Sequence, residues 1–310
     1  MGAPTSGAAG VMEVVRVPCL SDNYVWLLHE VAPAGGGAGR TAVVDPAEEG
    51  PVVEALAARG WTLDAVLNTH HHADHTGANL ALKRRFPGLM VVGPRADKDR
   101  IPAIDVQVGC GDTWHLGGLE VRVFDTPGHT RGHITYYVPQ AASLFPGDTL
   151  FALGCGRLFE GSPQQMWASL SKLTPLPDDT LVYCAHEYTQ SNARFAVTVD
   201  PRNAALAQRK AAIDAARAQR SFVMTGISHS PSPVSSPTAA AAAGAAAAAA
   251  AAAVRTHQGE PTVPSRLGEE KATNPFLRPH DPAIRQQLGF DAAAPDWQVF
   301  GAIRAAKDRF

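Results

Sequence analysis

No block of lysine and arginine marks a polyanion-binding face in this 310-residue sequence. Its 27 basic and 29 acidic side chains nearly cancel, for a formal net charge of −2. A nucleic acid or an anionic membrane surface is therefore not expected as the main partner. No apolar run has the ~20 residues that carry a helix across a bilayer. Residues 1–10 lack both the basic stretch and apolar core of a secretion signal and the arginines of a mitochondrial leader, so the cytoplasm is the compartment expected by default. Gly2 with Ser6 formally fits a myristoylation pattern, but small residues dominate there and a flexible start is the expectation. The four cysteines, at 19, 110, 155 and 184, form no C-x-x-C pair. That speaks against a cysteine-rich structural zinc site and against a disulfide framework, and for reduced, mostly buried thiols. No G-x-S-x-G elbow is present, so a serine nucleophile of that kind is not expected.

What is present is an alternation of short apolar runs and helical stretches over the first 185 or so residues. Strands are expected at 11–17, 24–29, 41–45, 63–69, 89–92, 119–124, 134–138 and 181–184. Helices are expected at 50–59, 76–86 and 163–173. In the last of these Ser162 is the N-cap and Pro163 takes the first turn, where its missing N–H costs little. This pattern is α/β with sheets covered by helices, and pattern alone does not separate a doubly wound sheet from a sandwich. After His186 the character turns helical, with candidates at 203–218, 282–288 and 296–308. Between them 221–238 is rich in serine and proline, and 239–253 is alanine broken only by Gly244. We read 221–256 as a low-complexity insertion, disordered or loosely helical; the alternative is a partner-binding helix.

The chemistry concentrates in Thr69-His70-His71-His72-Ala73-Asp74-His75-Thr76-Gly77, directly after an apolar strand. On an extended chain residues two apart project the same way, so His70 and His72 share a side and His71 faces away as a structural group. Asp74 and His75 lie in the turn that opens the next helix. Imidazole and carboxylate gathered in one volume suit zinc, iron or manganese. Three later turns, each just past a strand, offer His129, Asp148 and His186, at the strand ends where α/β folds place their chemistry. His133, four residues past His129, is read as orienting a ligand rather than being one.

The H-x-H-x-D-H signature with the later His, Asp and His resembles the metallo-β-lactamase superfamily. The resemblance implies an αββα sandwich with metals at one edge. His70, His72 and His129 would bind one ion, Asp74, His75 and His186 the second, and Asp148 would bridge them. Gly154-Cys155-Gly156-Arg157, Phe159-Glu160-Gly161, His186-Glu187-Tyr188, Pro261 to Ser265, Asn274-Pro275-Phe276, Ala302-Ile303-Arg304 and Lys307-Asp308 narrow the match. They resemble the hydroxyacylglutathione hydrolase (glyoxalase II) family over nearly the whole chain. That family implies a catalytic domain over 11–186 and a smaller helical substrate-binding domain over 187–310. It implies two divalent cations, with zinc the first choice, and hydrolysis of S-(2-hydroxyacyl)glutathione, such as S-D-lactoylglutathione, in methylglyoxal breakdown. The attacking group would be a hydroxide between the two ions, assisted by Asp74 and Asp148, and the leaving group a thiolate. Arg157, Phe159, His186, Tyr188, Arg304 and Lys307 would hold the glutathione moiety, and a monomer is the default. Phe159 departs from the family's usual tyrosine. Competing readings are a one-iron persulfide dioxygenase, a lactonase, or a nucleic-acid-processing relative. The complete ligand set and the near-neutral charge favour the thioester hydrolase.

Overall fold

The computed structural model describes residues 11–31, 39–218 and 259–310. The expectations for 1–10 and 221–256 lie outside the described residues.

The chain opens with an antiparallel pair, β1 (Val11–Cys19) and β2 (Asn23–Val31), registered with Val15 opposite Leu27. β3 (Thr41–Val44) adds antiparallel to β2. After α1 (Glu49–Ala57), β4 (Ala65–Leu67) adds parallel to β3. The helices α2 (Ala73–Thr76) and α3 (Asn79–Arg85) lead to β5 (Met90–Pro94) and β6 (Val106–Val108), also parallel. These strands form one sheet in the order β1 to β6. A second sheet begins with β7 (Thr113–Leu116), β8 (Leu119–Asp125), β9 (Ile134–Val138) and β10 (Ser143–Phe145). A tight hairpin follows, β11 (Leu150–Phe151) and β12 (Gly154–Cys155). Then come α4 (Pro163–Leu173), β13 (Leu181–Val182), α5 (Thr189–Val199) and α6 (Ala204–Ala218). Past the undescribed stretch lie β14 (Ser265–Arg266), α7 (Leu267–Thr273), α8 (Pro282–Leu288) and α9 (Asp296–Arg309). β14 pairs with β13, so the segment after His186 contributes the far strand of the second sheet.

Strand alternation sorts the side chains into layers. In β2, Tyr24, Trp26 and Leu28 point between the sheets and meet Leu119, Val121, Val123, Ile134 and Tyr136 of the second. Val25 and Leu27, one residue out of phase, point to the other face and pack with Val52 and Leu56 of α1 and Leu82 of α3. On the outer face of the second sheet, Tyr137, Leu144 and Val182 are covered by Met166 and Leu170 of α4, Phe195 of α5 and Phe300 and Ile303 of α9. The result is helix, sheet, sheet, helix: the αββα sandwich, with two inner faces interdigitating as aligned sheets do. Each fully buried leucine or phenylalanine adds about 1.5–3 kcal/mol relative to exposure.

Helix starts follow local chemistry. Ser162 Oγ accepts from Gln165 N at 3.2 Å and the Gln165 side chain accepts from Ser162 N at 2.9 Å, a reciprocal cap that fixes α4 where expected. Asp281 caps α8 and Gly289, at φ 76°, ends it. Other expectations shift. The helix expected over 76–86 splits into α2 and α3. The strand expected to Thr69 ends at Leu67, so His70 and His72 are not on the strand itself. The structure adds α5, α7 and the two- to four-residue strands β6, β7, β11, β12 and β14; strands that short carry too little periodicity to be read from sequence, whereas α5 buries one face through Asn192, Phe195, Ala196 and Val199. Among the described residues no helix is long and apolar enough to cross a membrane.

Candidate metal centre and substrate cleft

The loop after β4 is shaped by buried polar side chains. Asp45, at the end of β3, accepts from Thr69 N and Thr69 Oγ1, both at 2.7 Å. Asn68 donates through Nδ2 to the His75 carbonyl at 2.8 Å and accepts from Asn79 at 2.7 Å. These bonds fold the motif back on itself, and they, rather than strand alternation, converge His70 and His72: His70 Nε2 lies 3.1 Å from His72 Nδ1. His129, from the turn after β8, puts its Nε2 3.0 Å from the same His72 nitrogen. A tetrahedral ion with nitrogens at about 2.0–2.1 Å sets them about 3.3 Å apart, close to this spacing.

A second cluster adjoins. Asp74 Oδ2 stands 3.3 Å from His75 Nε2 and 3.5 Å from His186 Nε2. Asp148 spans both clusters. Its Oδ1 faces His75 Nε2 at 3.5 Å and His186 Nε2 at 3.4 Å, and its Oδ2 faces His129 Nε2 at 3.4 Å. Gly147 makes this possible. At φ 47° it turns the chain where a Cβ would meet Thr69 Oγ1 at 2.3 Å, so a side chain is excluded.

Most of the inward-facing imidazoles are aimed by an outward partner. His75 Nδ1 meets Asp45 Oδ2 at 3.0 Å, His186 Nδ1 meets Asp22 Oδ1 at 2.8 Å, His129 Nδ1 meets the Arg157 carbonyl at 2.9 Å, and His70 Nδ1 meets Thr69 Oγ1 at 3.0 Å. Such partners fix tautomer and orientation and raise ligand basicity. Asp22, Asn23 and Asp45 stand in no motif that marks them in the sequence. The available signal was an acidic residue after an apolar strand (Val43-Val44-Asp45) and one in the β1–β2 turn. His71 turns away to Asp97 Oδ2 at 3.0 Å. His133 points no nitrogen into either cluster: its Nε2 accepts from Asp148 N at 3.1 Å.

The electrostatics are those of groups waiting for a cation. Burial and the neighbouring imidazoles hold His70 well below its ordinary value, and His72 falls to about 4 for the same reasons. Burial favours the neutral acid at Asp148, but the charges of His186 and His75 override it and keep the carboxylate ionised. The same contest raises His186 to about 9, burial lowering it and Asp148 more than restoring it. His75 Nε2 and Asp148 Oδ1 are buried without any hydrogen-bond partner. The other unpaired buried side-chain atoms among the described residues are hydroxyls of Thr130, Thr180, Thr189 and Ser265; these two are the imidazole nitrogen and carboxylate oxygen left over, they lie 3.5 Å apart, and they fit a metal site. His70, His72 and His129 form one such group, and Asp74, His75 and His186 another.

Beside the centre opens a cleft of roughly 490 Å³ whose wall includes His129, Asp148, Arg157, Phe159, Tyr188, Arg304 and Lys307. Tyr188 stacks flat on His186, ring centroids 4.7 Å apart. Phe159, 62% exposed, stands edge-on to His129 at 5.1 Å. Arg157 reaches into solvent and comes only within 3.9 Å of Asp308. Lys307 donates to Ser191 O and Oγ at 3.2 and 3.1 Å. Arg304 is buried: it donates to the Cys155 carbonyl at 2.9 Å and to Asp308 at 2.8 Å, and lies over the Phe276 ring. Its guanidinium is thus already engaged, whereas Arg157 is open. A second hollow of about 360 Å³, near Arg95 and Cys110, lies behind His133 and away from both clusters.

This fold is that of the metallo-β-lactamase superfamily, and its His/Asp groups fit a metal site. A family model so described matches residues 25–186, and one described as the hydroxyacylglutathione hydrolase C-terminus matches 187–228 and 240–310. The staphylococcal metallo-beta-lactamase structure, from Staphylococcus aureus, is similar in fold alone. It has a TM-score of 0.53 at 17% identity, over 96% of this chain and 71% of that one. The ETHE1 structure from Myxococcus xanthus has a TM-score of 0.50 at 33% identity, over 57% of this chain and 76% of that one. The hydroxyacylglutathione hydrolase of Methylococcus capsulatus is 49% identical over 97% of this chain and 99% of its own length, and that of Ruegeria pomeroyi 48% over 96% and 99%. Within the superfamily, the chain belongs to the hydroxyacylglutathione hydrolase family.

Proposed function

We propose that the protein hydrolyses S-(2-hydroxyacyl)glutathione thioesters, S-D-lactoylglutathione among them, to glutathione and the 2-hydroxy acid. The observation that carries this reading is Asp148, whose two oxygens each face a different imidazole cluster at the floor of a cation-lined cleft. His70, His72 and His129 would hold one divalent cation, Asp74, His75 and His186 a second, and Asp148 both, with zinc the first choice and iron or manganese suited to the same donors. Two such ions, when bound, lower the pKa of water and polarise a carbonyl oxygen.

The chain's own groups do the rest. Asp148, facing both clusters, would offset the repulsion between two cations held there. Asp74 is 37% exposed at the mouth of the second cluster, where Asn23 donates to its Oδ2 at 3.1 Å and holds the carboxylate toward His75 and His186. Arg157 and Lys307 present positive charge to the carboxylates of glutathione. Tyr188, stacked on His186, and Phe159 close the sides over the scissile bond. Arg304 shapes the wall between them. The departing thiolate is weakly basic and needs little protonation. Every group comes from one chain, so a monomer suffices. The cytoplasm, where glutathione is abundant and thiols stay reduced, is the proposed compartment.

The test is hydrolysis of S-lactoylglutathione by the purified protein as isolated, after chelation, and after returning zinc, iron or manganese, with metal content counted at each stage. The expected result is about two ions per chain, loss of turnover on chelation and recovery on reloading. Full activity without metal would refute the centre. A fully loaded protein inert toward the thioester would refute the substrate.

A further inference from the structure

The Asn274-Pro275-Phe276 motif takes no part in the cleft's polar contacts, yet Asn274 reaches the hairpin that carries the metal centre's wall. Asn274 Nδ2 donates to the carbonyls of Phe151 at 3.2 Å and Gly154 at 3.1 Å, and to Glu270 Oε2 at 3.1 Å. The same Glu270 oxygen accepts from Leu153 N at 2.8 Å. Arg209 of α6 pairs with the other oxygen of Glu270 and donates to Thr273 Oγ1 at 2.7 Å. Asn192 of α5 donates to the Ala152 carbonyl at 3.0 Å. Each residue of the Phe151-Ala152-Leu153-Gly154 turn thus has a main-chain group held by a side chain from the helical segment. Glu270 and Asn274 are fully buried, at 0% exposure. Leu153 sits at φ 56°, a left-handed conformation that residues with side chains avoid unless their surroundings impose it.

Both strands of this hairpin lead into the site. Asp148 precedes β11 by two residues. Arg157 follows β12 by two, and its carbonyl orients His129. Between them Gly156 packs so closely on the Asp148 carbonyl that a Cβ would lie 1.9 Å away, so the 156–157 backbone rests directly against Asp148. The Cys155 carbonyl, on the same hairpin, receives Arg304.

We infer that the buried Glu270–Asn274 pair is a positioning device that sets the β11–β12 hairpin and through it the spacing of Asp148 and His129. The helical segment then builds the metal centre as well as the cleft. This inference rests on the metal-centre reading above. Glu270 and Asn274 do not touch substrate, so they are positioning residues, and their loss should register in metal affinity and kcat more than in KM.

The experiment compares Asn274→Ala and the isosteric Glu270→Gln with Arg285→Ala, a buried C-terminal residue whose bonds to Pro279, Asp291 and Asp296 lie away from the hairpin. Zinc affinity is measured by chelator competition, cobalt-loaded protein is examined by visible absorption, and stability is measured on the metal-free forms. The expected result is a fall of about 10–100-fold in zinc affinity for the two hairpin variants. A changed cobalt spectrum and a lower kcat should accompany it, with KM within about threefold of the parent. Arg285→Ala should lose stability while keeping parental zinc affinity and spectrum. Parental zinc affinity, spectrum and kcat in both hairpin variants would overturn the inference while leaving the proposed function intact. A parent protein that binds no zinc or cobalt would instead remove the metal-centre reading, and the inference with it.

Discussion

Asp148→Asn changes one charge at nearly constant shape, at the point where the two clusters meet. Its carboxylate lies 3.4–3.5 Å from nitrogens of His75, His129 and His186. Two unit charges about 4 Å apart interact by about 4 kcal/mol at an effective dielectric near 20. A cation in either cluster would lose an attraction of at least that order. At about 1.4 kcal/mol per decade this is roughly a thousandfold in affinity. Turnover should fall with metal content, and the fold should persist because the asparagine still fills the space. The metal-free protein offers a second, independent reading. The depressed pKa of Asp148 stabilises the fold above the ordinary carboxylate value of 3.8 and is lost as pH falls below it. The raised pKa of His186 stabilises it fully below the ordinary imidazole value of 6.5 and is lost as pH rises through about 9. The melting temperature of metal-free Asp148→Asn should therefore fall furthest below the parent's between those two ordinary values, and the gap should narrow toward pH 9. Metal counting, thermal melts across pH and S-lactoylglutathione kinetics measure all three effects. A variant that keeps its metal and its turnover would refute the role given to Asp148. A melting difference independent of pH would refute the electrostatic account.

Two further outcomes follow from the cleft. Burial, and after it the charges of Arg304, Arg194 and Arg157, bring Lys307 down to about 8; KM for the thioester should then rise as pH passes about 8, with kcat unmoved, and Lys307→Arg should flatten that rise. An unchanged slope in the arginine variant would take Lys307 out of binding. Phe159→Tyr adds a phenol at the exposed edge of the cleft, and one hydrogen bond of about 1 kcal/mol should lower KM roughly fivefold; an unchanged KM would mean that this edge does not face substrate.

Much of the site was legible because metal chemistry restricts residue type and spacing. Histidines and acids packed into 70–75, with His129, Asp148 and His186 each just past a strand, stand out in the sequence. The structure brings these seven side chains into one volume. The sandwich was not legible from pattern. Periodicity assigns Tyr24, Trp26 and Leu28 to one face and Val25 and Leu27 to the other, but not which face meets a second sheet. The groups that aim the imidazoles were also hidden. Asp45 is 24 residues before Thr69 and Asp22 is 164 before His186, and single acidic residues in turns carry no local signal.

By itself, the sequence determined which side chains can meet a cation, where capped helices such as α4 and α8 begin and which residues alternate into cores, since capping, periodicity and donor chemistry act over a few neighbouring residues. Only the tertiary structure decided that Asp148 lies between two clusters, that Arg304 is spent on Cys155 and Asp308 while Arg157 stays open, and that Glu270 and Asn274 grip the hairpin. Those facts depend on contacts between residues from different elements, up to 149 positions apart, and such contacts exist only once both sheets and the helices have closed on one another.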